Sequence, residues 1–167
     1  MFTQAKYFKN QNMNQSVLPL LNVTQNEQSQ FIDDTKQEFL IGLQYVGFLL
    51  HEYEFLVVMS AVREIMMLTD ITYVPGTKPL IEGVISLRGA IIPVVNLSRF
   101  LNLPACKAKY TTRIIILESE QGEFGLIADN ITDFILLKST DIEAVPHHFF
   151  PDEYHVLSGV TKVDSKM

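Results

Sequence analysis

The chain has a single cysteine, Cys106, among 167 residues, so no intrachain disulfide can form. This excludes a secreted domain held together by disulfides, and a reducing compartment such as the cytoplasm is the expected location. No histidine or second cysteine adjoins Cys106, and no redox motif contains it. We therefore expect an inert thiol in a loop rather than a nucleophile.

Positive charge and long apolar runs are scarce as well. The 13 Lys and Arg residues against 19 Asp and Glu give a net charge of -6, and the sequence contains no basic run. This argues against a nucleic-acid-binding surface. No stretch of about 18 apolar residues occurs, and the N-terminus lacks the apolar core of a signal peptide. We predict a soluble, cytoplasmic protein that neither inserts into a membrane nor binds nucleic acid.

Motifs of catalysis and cofactor binding are also missing. The sequence contains no Gly-x-Ser-x-Gly element and no phosphate-binding glycine-rich loop. His147, His148 and His155 match no compact metal motif, which favours surface histidines. The expectation is a non-enzymatic protein without cofactor or metal. A small β-barrel enzyme is the alternative, and it would need ionisable groups converging in a cleft.

Short apolar strands are the most abundant feature of the sequence. The stretch from Ile81 to Leu97 predicts two strands joined at Arg88-Gly89, where the glycine allows a tight reversal. A second hairpin is predicted between Arg113 and Ala128. Short strands separated by turns, with little helix between them, predict an all-β barrel or sandwich.

Residues 1–38 differ from the remainder because they are rich in Gln and Asn and contain no glycine. We predict a polar, flexible N-terminal tail here and a folded domain over residues 39–167. A short docking segment is the alternative for the apolar residues Val17, Leu18, Leu20 and Leu21.

The two halves of the domain resemble each other. Residues 55–68 align without a gap on residues 124–137, and Gly83-Val84 recurs as Gly159-Val160. This predicts two lobes of one design, the first over about 43–103 and the second over about 110–167. The strand that follows Gly83-Val84 has no counterpart after Gly159-Val160. The second barrel is therefore expected to lack its last strand, which would expose a sheet edge.

Residues 48–163 resemble the CheW family of chemotaxis coupling proteins. The run Gly-Val-x-x-Leu-Arg-Gly, followed by a strand of the form Pro-Val-x-x-Leu, is the most specific part of the resemblance. The motifs are Val62-Arg63-Glu64-Ile65, Val74-Pro75-Gly76, Glu82-Gly83-Val84-Ile85-Ser86-Leu87-Arg88-Gly89, Ile92-Pro93-Val94-Val95-Asn96-Leu97 and Gly125-Leu126-Ile127-Ala128-Asp129. The resemblance implies a pair of SH3-like five-stranded β-barrels packed on a shared core, with short helical turns.

The resemblance also implies a function. Members of this family are non-enzymatic adaptors that link methyl-accepting chemoreceptors to a CheA-type histidine kinase in membrane-associated arrays. Similar couplers serve the chemosensory systems of type IV pilus twitching. The partners implied here are the cytoplasmic tip of a receptor and the regulatory domain of the kinase.

Site residues follow from the same resemblance. Glu64 and Arg88 are expected to form a structural ion pair, and if it were buried, loss of either partner would cost about 3 kcal/mol or more. The receptor tip is expected to dock near Met59, Val62, Gly83 and Ile85. The kinase is expected to dock on the second barrel near Arg113, Ile115, Gly125 and Ile127.

Three residues depart from the family pattern. Asn96 stands where the family usually has Asp, Asn130 stands where Gly is common, and Arg113 brings a charge to a surface that the family keeps apolar. The expected missing strand leaves a further alternative function: a degenerate or truncated coupler that binds only one partner.

Overall fold

The computed structural model describes residues 15–21, 42–104, 108–144 and 157–164. These ranges contain short strands, one four-residue helix and two 3₁₀ turns, at Met59–Ala61 and Ser139–Asp141. The elements are β1 (Gln15–Leu21), β2 (Leu43–Leu50), β3 (Tyr53–Val58), β4 (Val62–Met67), β5 (Ile81–Leu87), β6 (Ala90–Val95), α1 (Leu97–Phe100), β7 (Arg113–Ser119), β8 (Gly122–Ala128), β9 (Asn130–Leu137), β10 (Ile142–Glu143) and β11 (Leu157–Asp164).

The strands form two sheets, and the predicted all-β class is confirmed. We call the sheet β4-β7-β8-β6-β5 the first barrel and the sheet β10-β11-β1-β3-β2-β9 the second barrel. Each barrel contains strands from both halves of the sequence. The β2–β3 hairpin pairs with β9 in the second barrel, whereas the β7–β8 hairpin pairs with β4 and β6 in the first. The barrels therefore exchange hairpins and do not coincide with residues 43–103 and 110–167.

An apolar core lies between the barrels. Phe48 and Phe55 stack in it with ring centroids 5.9 Å apart, and Ile115 and Leu117 of β7 pack against the same cluster. Ile114 and Ile116, which alternate with these two on β7, point instead into the interior of the first barrel. Because β7 is covered on both faces, its sequence is continuously apolar rather than alternating.

The interior of the second barrel contains a buried tyrosine. Tyr45 packs there against Leu56 and Leu137. Burial raises the pKa of the Tyr45 phenol, because the phenolate would lose hydration.

Strand β1 lies in the segment that the sequence predicts to be a flexible tail. It pairs antiparallel with β11 from Gln15↔Asp164 to Leu21↔Leu157, and parallel with β3 at Leu20↔Leu56. The tail prediction is wrong for these seven residues, because a short apolar run hidden in polar sequence completes a sheet. Residues 1–14 and 22–38 lie outside the described ranges.

The edge that was expected to stay open in the second barrel is occupied. Without β1, the backbone N–H and C=O groups on the facing edges of β11 and β3 would have no strand to pair with. The second barrel does not lack a strand at this position; the strand comes from the other end of the sequence.

Gly83 on β5 offers a test of the close contact between β5 and residues 71–72, where the first barrel closes. A Cβ atom at this position would meet the carbonyl oxygen of Thr72 and would lie 2.7 Å from Ile71 Cγ2. Backbone cannot yield as a flexible side chain does, so we expect Gly83→Ala to lower the free energy of unfolding by about 1–3 kcal/mol. Urea denaturation measures this. Ser86→Ala, exposed on the same strand, is the matched control and should change stability by less than about 0.5 kcal/mol. Equal stability of the two variants would contradict the predicted clash.

Candidate docking surfaces

The β5–β6 hairpin turns through Arg88 and Gly89, which have φ angles of 50° and 86°. Two central residues with positive φ are typical of a type I′ turn, whose twist matches that of the flanking strands. An arginine in this left-handed conformation costs about 1–2 kcal/mol relative to glycine. The arginine side chain is therefore expected to make an interaction that depends on this position.

That interaction is with Glu64 on β4. Arg88 Nη2 lies 2.7 Å from Glu64 Oε2, so the structure brings the two side chains together. Strands β4 and β5 stand at opposite ends of the sheet order, so the pair crosses the seam where the first barrel closes. The seam also contains the backbone bridge between Thr72 and Val84.

The pair is not buried. The Arg88 side chain is 79% exposed and that of Glu64 is 31% exposed. Water screens such a pair, so its contribution falls from the 3 kcal/mol expected for a buried pair to at most about 1 kcal/mol. We conclude that it orients the turn more than it stabilises the fold.

A second polar cluster joins β5 to the start of α1. Asn96 Nδ2 donates to Glu82 Oε2 at 2.9 Å, and Arg99 Nη2 donates to Glu82 Oε1 at 3.3 Å. Asn96 Oδ1 also accepts from the backbone amide of Arg99 at 3.4 Å, as an N-cap residue does. An amide can donate to Glu82 and cap the helix at the same time, whereas an ionised carboxylate can only accept, which explains why Asn rather than Asp suits this position.

The four residues expected at the receptor-binding surface differ in accessibility. Met59, in the first 3₁₀ turn, and Val62, at the start of β4, are half-buried against the core between the barrels. Gly83 and Ile85 are buried, and Ile85 is only 3% exposed. The last two cannot contact a partner in this conformation, because β5 turns them toward the interior of the first barrel.

The expected kinase-binding residues lie on β7 and β8, in the first barrel rather than the second. Ile115 and Gly125 are buried, and Ile127 is half-buried. Arg113 Nη1 donates to the carbonyl oxygens of Tyr110 at 2.7 Å and Thr112 at 3.0 Å, so this charge stabilises its own loop. The residues expected to bind the receptor and those expected to bind the kinase therefore lie in the first barrel or, for Met59, in the 3₁₀ turn just before β4.

Several exposed apolar side chains were missed by the sequence prediction. Met67 is 72% exposed opposite Arg113 in the β4–β7 ladder, and Tyr110, three residues before that arginine, is 91% exposed. We call Met67, Tyr110 and Arg113 the loop patch. Phe134 and Leu136, 63% and 56% exposed, alternate on the edge strand β9. Side chains on one face of a strand recur every second residue, and this spacing was hard to see in the sequence because residues 134–137 are all apolar.

Metal-binding side chains do not cluster in the described part of the chain. Among those residues, no group of three or more His, Cys, Asp or Glu side chains is placed to hold a metal ion. The three histidines at 147, 148 and 155 and Cys106 lie outside the described ranges. No helix in the described ranges is long and apolar enough to cross a membrane.

The turn conformation and the ion pair of Arg88 can be separated by mutation. Arg88→Gly removes the pair but relieves the left-handed strain, whereas Arg88→Ala removes the pair and keeps the strain. We expect Arg88→Ala to be about 1 kcal/mol less stable than Arg88→Gly in urea denaturation. A double-mutant cycle with Glu64→Gln should give a coupling energy below about 1 kcal/mol that disappears at 1 M salt. A salt-independent coupling near 3 kcal/mol would show that the pair is shielded from water.

Asn96→Asp tests the cluster around Glu82. The variant retains a good N-cap residue, but it replaces a hydrogen bond with two adjacent carboxylates, so we expect a loss of about 1 kcal/mol at pH 7. Protonating either carboxylate removes the repulsion, so the deficit should shrink as the pH falls toward 4. Thermal melts across this range measure it. Asn96→Ser, which can cap without adding charge, is the control and should show no such pH dependence.

Comparisons with known proteins agree with this architecture. A family model described as CheW-like domain matches residues 44–167. The chemotaxis protein CheW of Bacillus subtilis is 32% identical over 130 residues, which cover 78% of this chain and 83% of that protein. The chemotaxis protein CheW of Rhizobium meliloti is 30% identical over 126 residues, covering 75% of this chain and 81% of that protein.

Two further similarities concern a more distant relative and a solved structure. Protein PilI of Pseudomonas aeruginosa is 27% identical over 96 residues, covering 58% of this chain and 54% of that protein. The crystal structure of the scaffolding protein TtCheW from Thermoanaerobacter tengcongensis superposes with a TM-score of 0.66 at 31% identity, covering 76% of this chain and 86% of that one. With the family model matching most of its length, the chain belongs to the CheW family.

Proposed function

We propose that the chain is a non-enzymatic scaffold that couples chemoreceptors to a CheA-type histidine kinase. The observation that supports this most directly is the match of residues 44–167 to the CheW-like domain, together with the barrel arrangement that the chain shares with a scaffolding protein.

The mechanism we propose is thermodynamic coupling through a rigid body. If receptor and kinase bind two surfaces of one scaffold, a receptor state that changes one contact can bias the state of the other partner. The core shared by the barrels supports this, because it allows little relative movement of the surfaces. Small interfaces bind weakly alone, and simultaneous contacts in an array would provide avidity.

For the receptor we propose a contact centred on Met59 and Val62. Both side chains are half-buried, so each leaves apolar surface accessible beside the shared core. An apolar helix tip could bury that remainder. Gly83 and Ile85 would act indirectly, by holding β5 in the first barrel.

For the kinase we propose a contact on the β7–β8 hairpin that is centred on the loop patch and includes Ile127. The loop patch offers a tyrosine and a methionine that are mostly exposed, and aromatic and methionine side chains are enriched in protein interfaces. Ile115 and Gly125 would shape the hairpin from inside, since neither is accessible.

The alternative of a coupler with a single partner depended on an incomplete second barrel. Strand β1 removes that reason, because it pairs with β11 along its length. A coupler that contacts both partners is therefore the better proposal, and the single-partner case becomes an outcome of the experiment below.

Reconstitution tests the function. Kinase activity is measured with receptor-containing membranes and the CheA-type kinase of the same organism, with and without this chain. We expect receptor-dependent control of the kinase only when the chain is present, together with saturable binding to the isolated regulatory domain in calorimetry. Binding to one partner without restored control would favour the single-partner alternative, and binding to neither would contradict the proposal. Repeating the assay with flagellar and pilus kinases would identify the pathway.

Substitutions should separate the two surfaces. We expect Val62→Asp to abolish receptor coupling while kinase binding survives, because a carboxylate would be buried in an apolar contact. Tyr110→Asp should weaken kinase binding by tenfold or more, roughly the loss of an aromatic interface anchor. Phe134→Asp, at a similarly exposed apolar residue of the second barrel, is the control and should leave both unchanged. Equal loss of both functions in Val62→Asp would indicate unfolding, which circular dichroism checks.

A further inference from the structure

We propose that β1 is the counterpart of β6, displaced to the other end of the sequence, and that the groove between β3 and β11 is its docking site within the same chain. In the first barrel, β6 pairs antiparallel with β5 and parallel with β8. In the second barrel, β1 pairs antiparallel with β11 and parallel with β3. The two strands thus occupy equivalent positions. The inference goes beyond the coupling function and does not depend on either partner.

The antiparallel pairing agrees residue by residue. In the first barrel Val94 pairs with Gly83, and the next residue, Val95, pairs with Ile81, so one residue of β5 is skipped. In the second barrel Leu20 pairs with Gly159 and Leu21 with Leu157, and again one residue is skipped. An unrelated strand added to an open edge has no reason to reproduce an irregularity at the same step.

The parallel pairing agrees as well. Val94 pairs with Gly125, whereas Leu20 pairs with Leu56. The internal repeat, which aligns residues 55–68 with residues 124–137, already places Leu56 on Gly125. The pairing with β11 and the pairing with β3 therefore both place Leu20 at the position that Val94 occupies in β6.

The surroundings of the paired glycine provide a third correspondence. A Cβ on Gly83 would meet Thr72, and Thr72 bridges to Val84. A Cβ on Gly159 would lie 3.1 Å from the carbonyl oxygen of Glu143, which pairs with Val160. Strand β11 is thus built like β5 on the side away from β1 as well.

The amino-acid sequence carries the same relation. Residues 16–24 read S-V-L-P-L-L-N-V-T and residues 90–98 read A-I-I-P-V-V-N-L-S. Pro19 coincides with Pro93 and Asn22 with Asn96, and the other positions exchange one apolar or small polar residue for another. The family model begins at residue 44, so this similarity lies outside the match that defines the family.

Geometry favours insertion of β1 from the same chain. Leu20 pairs with Leu56, and Tyr45 of β2 pairs with Val58, so the end of β1 and the start of β2 lie at one end of β3. They are separated by two strand spacings, about 10 Å. The 21 residues from 22 to 42 can reach much farther than this, so pairing within one chain needs no strained connection. The order β1-β3-β2 also repeats the order β6-β8-β7 of the first barrel.

Relocating the strand tests the proposal. The first variant lacks residues 1–21. The second contains residues 22–164, one added glycine and residues 16–21, so that Asp164 and the glycine form a two-residue turn like Arg88-Gly89. The third is identical to the second except that residues 16–21 are in scrambled order. Melting temperature and, by light scattering, molar mass are compared with those of the full chain.

We expect the first variant to melt about 10 °C or more below the full chain, or not to fold. The second should melt within a few degrees of the full chain as a monomer, and the third should be no better than the first. An unchanged melting temperature without residues 1–21, or equal stability of the second and third variants, would overturn the proposal. A full chain that is dimeric, beside a monomeric second variant, would also overturn it, because the strand would then come from a second copy.

Discussion

Phe48 and Phe55 stack in the apolar core between the two barrels. The two candidate docking surfaces depend on this core, because it holds the strands that carry them. Burying one such side chain contributes about 2–3 kcal/mol, which is a large part of the net stability of a small domain. The β2–β3 hairpin, which contains these aromatic residues, lies in the first half of the sequence but pairs with β9 in the second barrel. Neither barrel can therefore form its complete sheet without chain from both halves, and the two candidate docking surfaces are held by the same packing.

The sequence predicted the fold well where hydrophobic patterning and turn chemistry agree. The hairpin at Arg88-Gly89 and the run from Ile114 to Leu117 identified strands correctly, since both depend on local preferences. The internal repeat indicated two similar units. It could not show that the units exchange hairpins, because residue patterns within a strand do not reveal its neighbours in a sheet.

The site was predicted less completely, for the same reason. Glu64 and Arg88 are 24 residues apart, and only the resemblance to a family connected them; their exposure could not be read from the sequence. Buried Ile115 and half-buried Ile127 are alike in composition, and the structure alone distinguishes them. The apolar residues of β1 were noticed, but their polar flanks favoured a tail. Comparison of residues 16–24 with residues 90–98 would have revealed the strand.

The pairing of β1 with β11 also has a consequence for synthesis on the ribosome. Gln15 and Asp164 are partners in the sheet, although 149 residues separate them. At about 5–20 residues per second, β1 is made on the order of 10 s before its main partner exists. During that interval the edge of β1 that pairs with β11 has no partner, and such edges attract other chains. The growing protein is therefore exposed to aggregation until β11 has been made, and its second barrel closes only after β11 has left the exit tunnel.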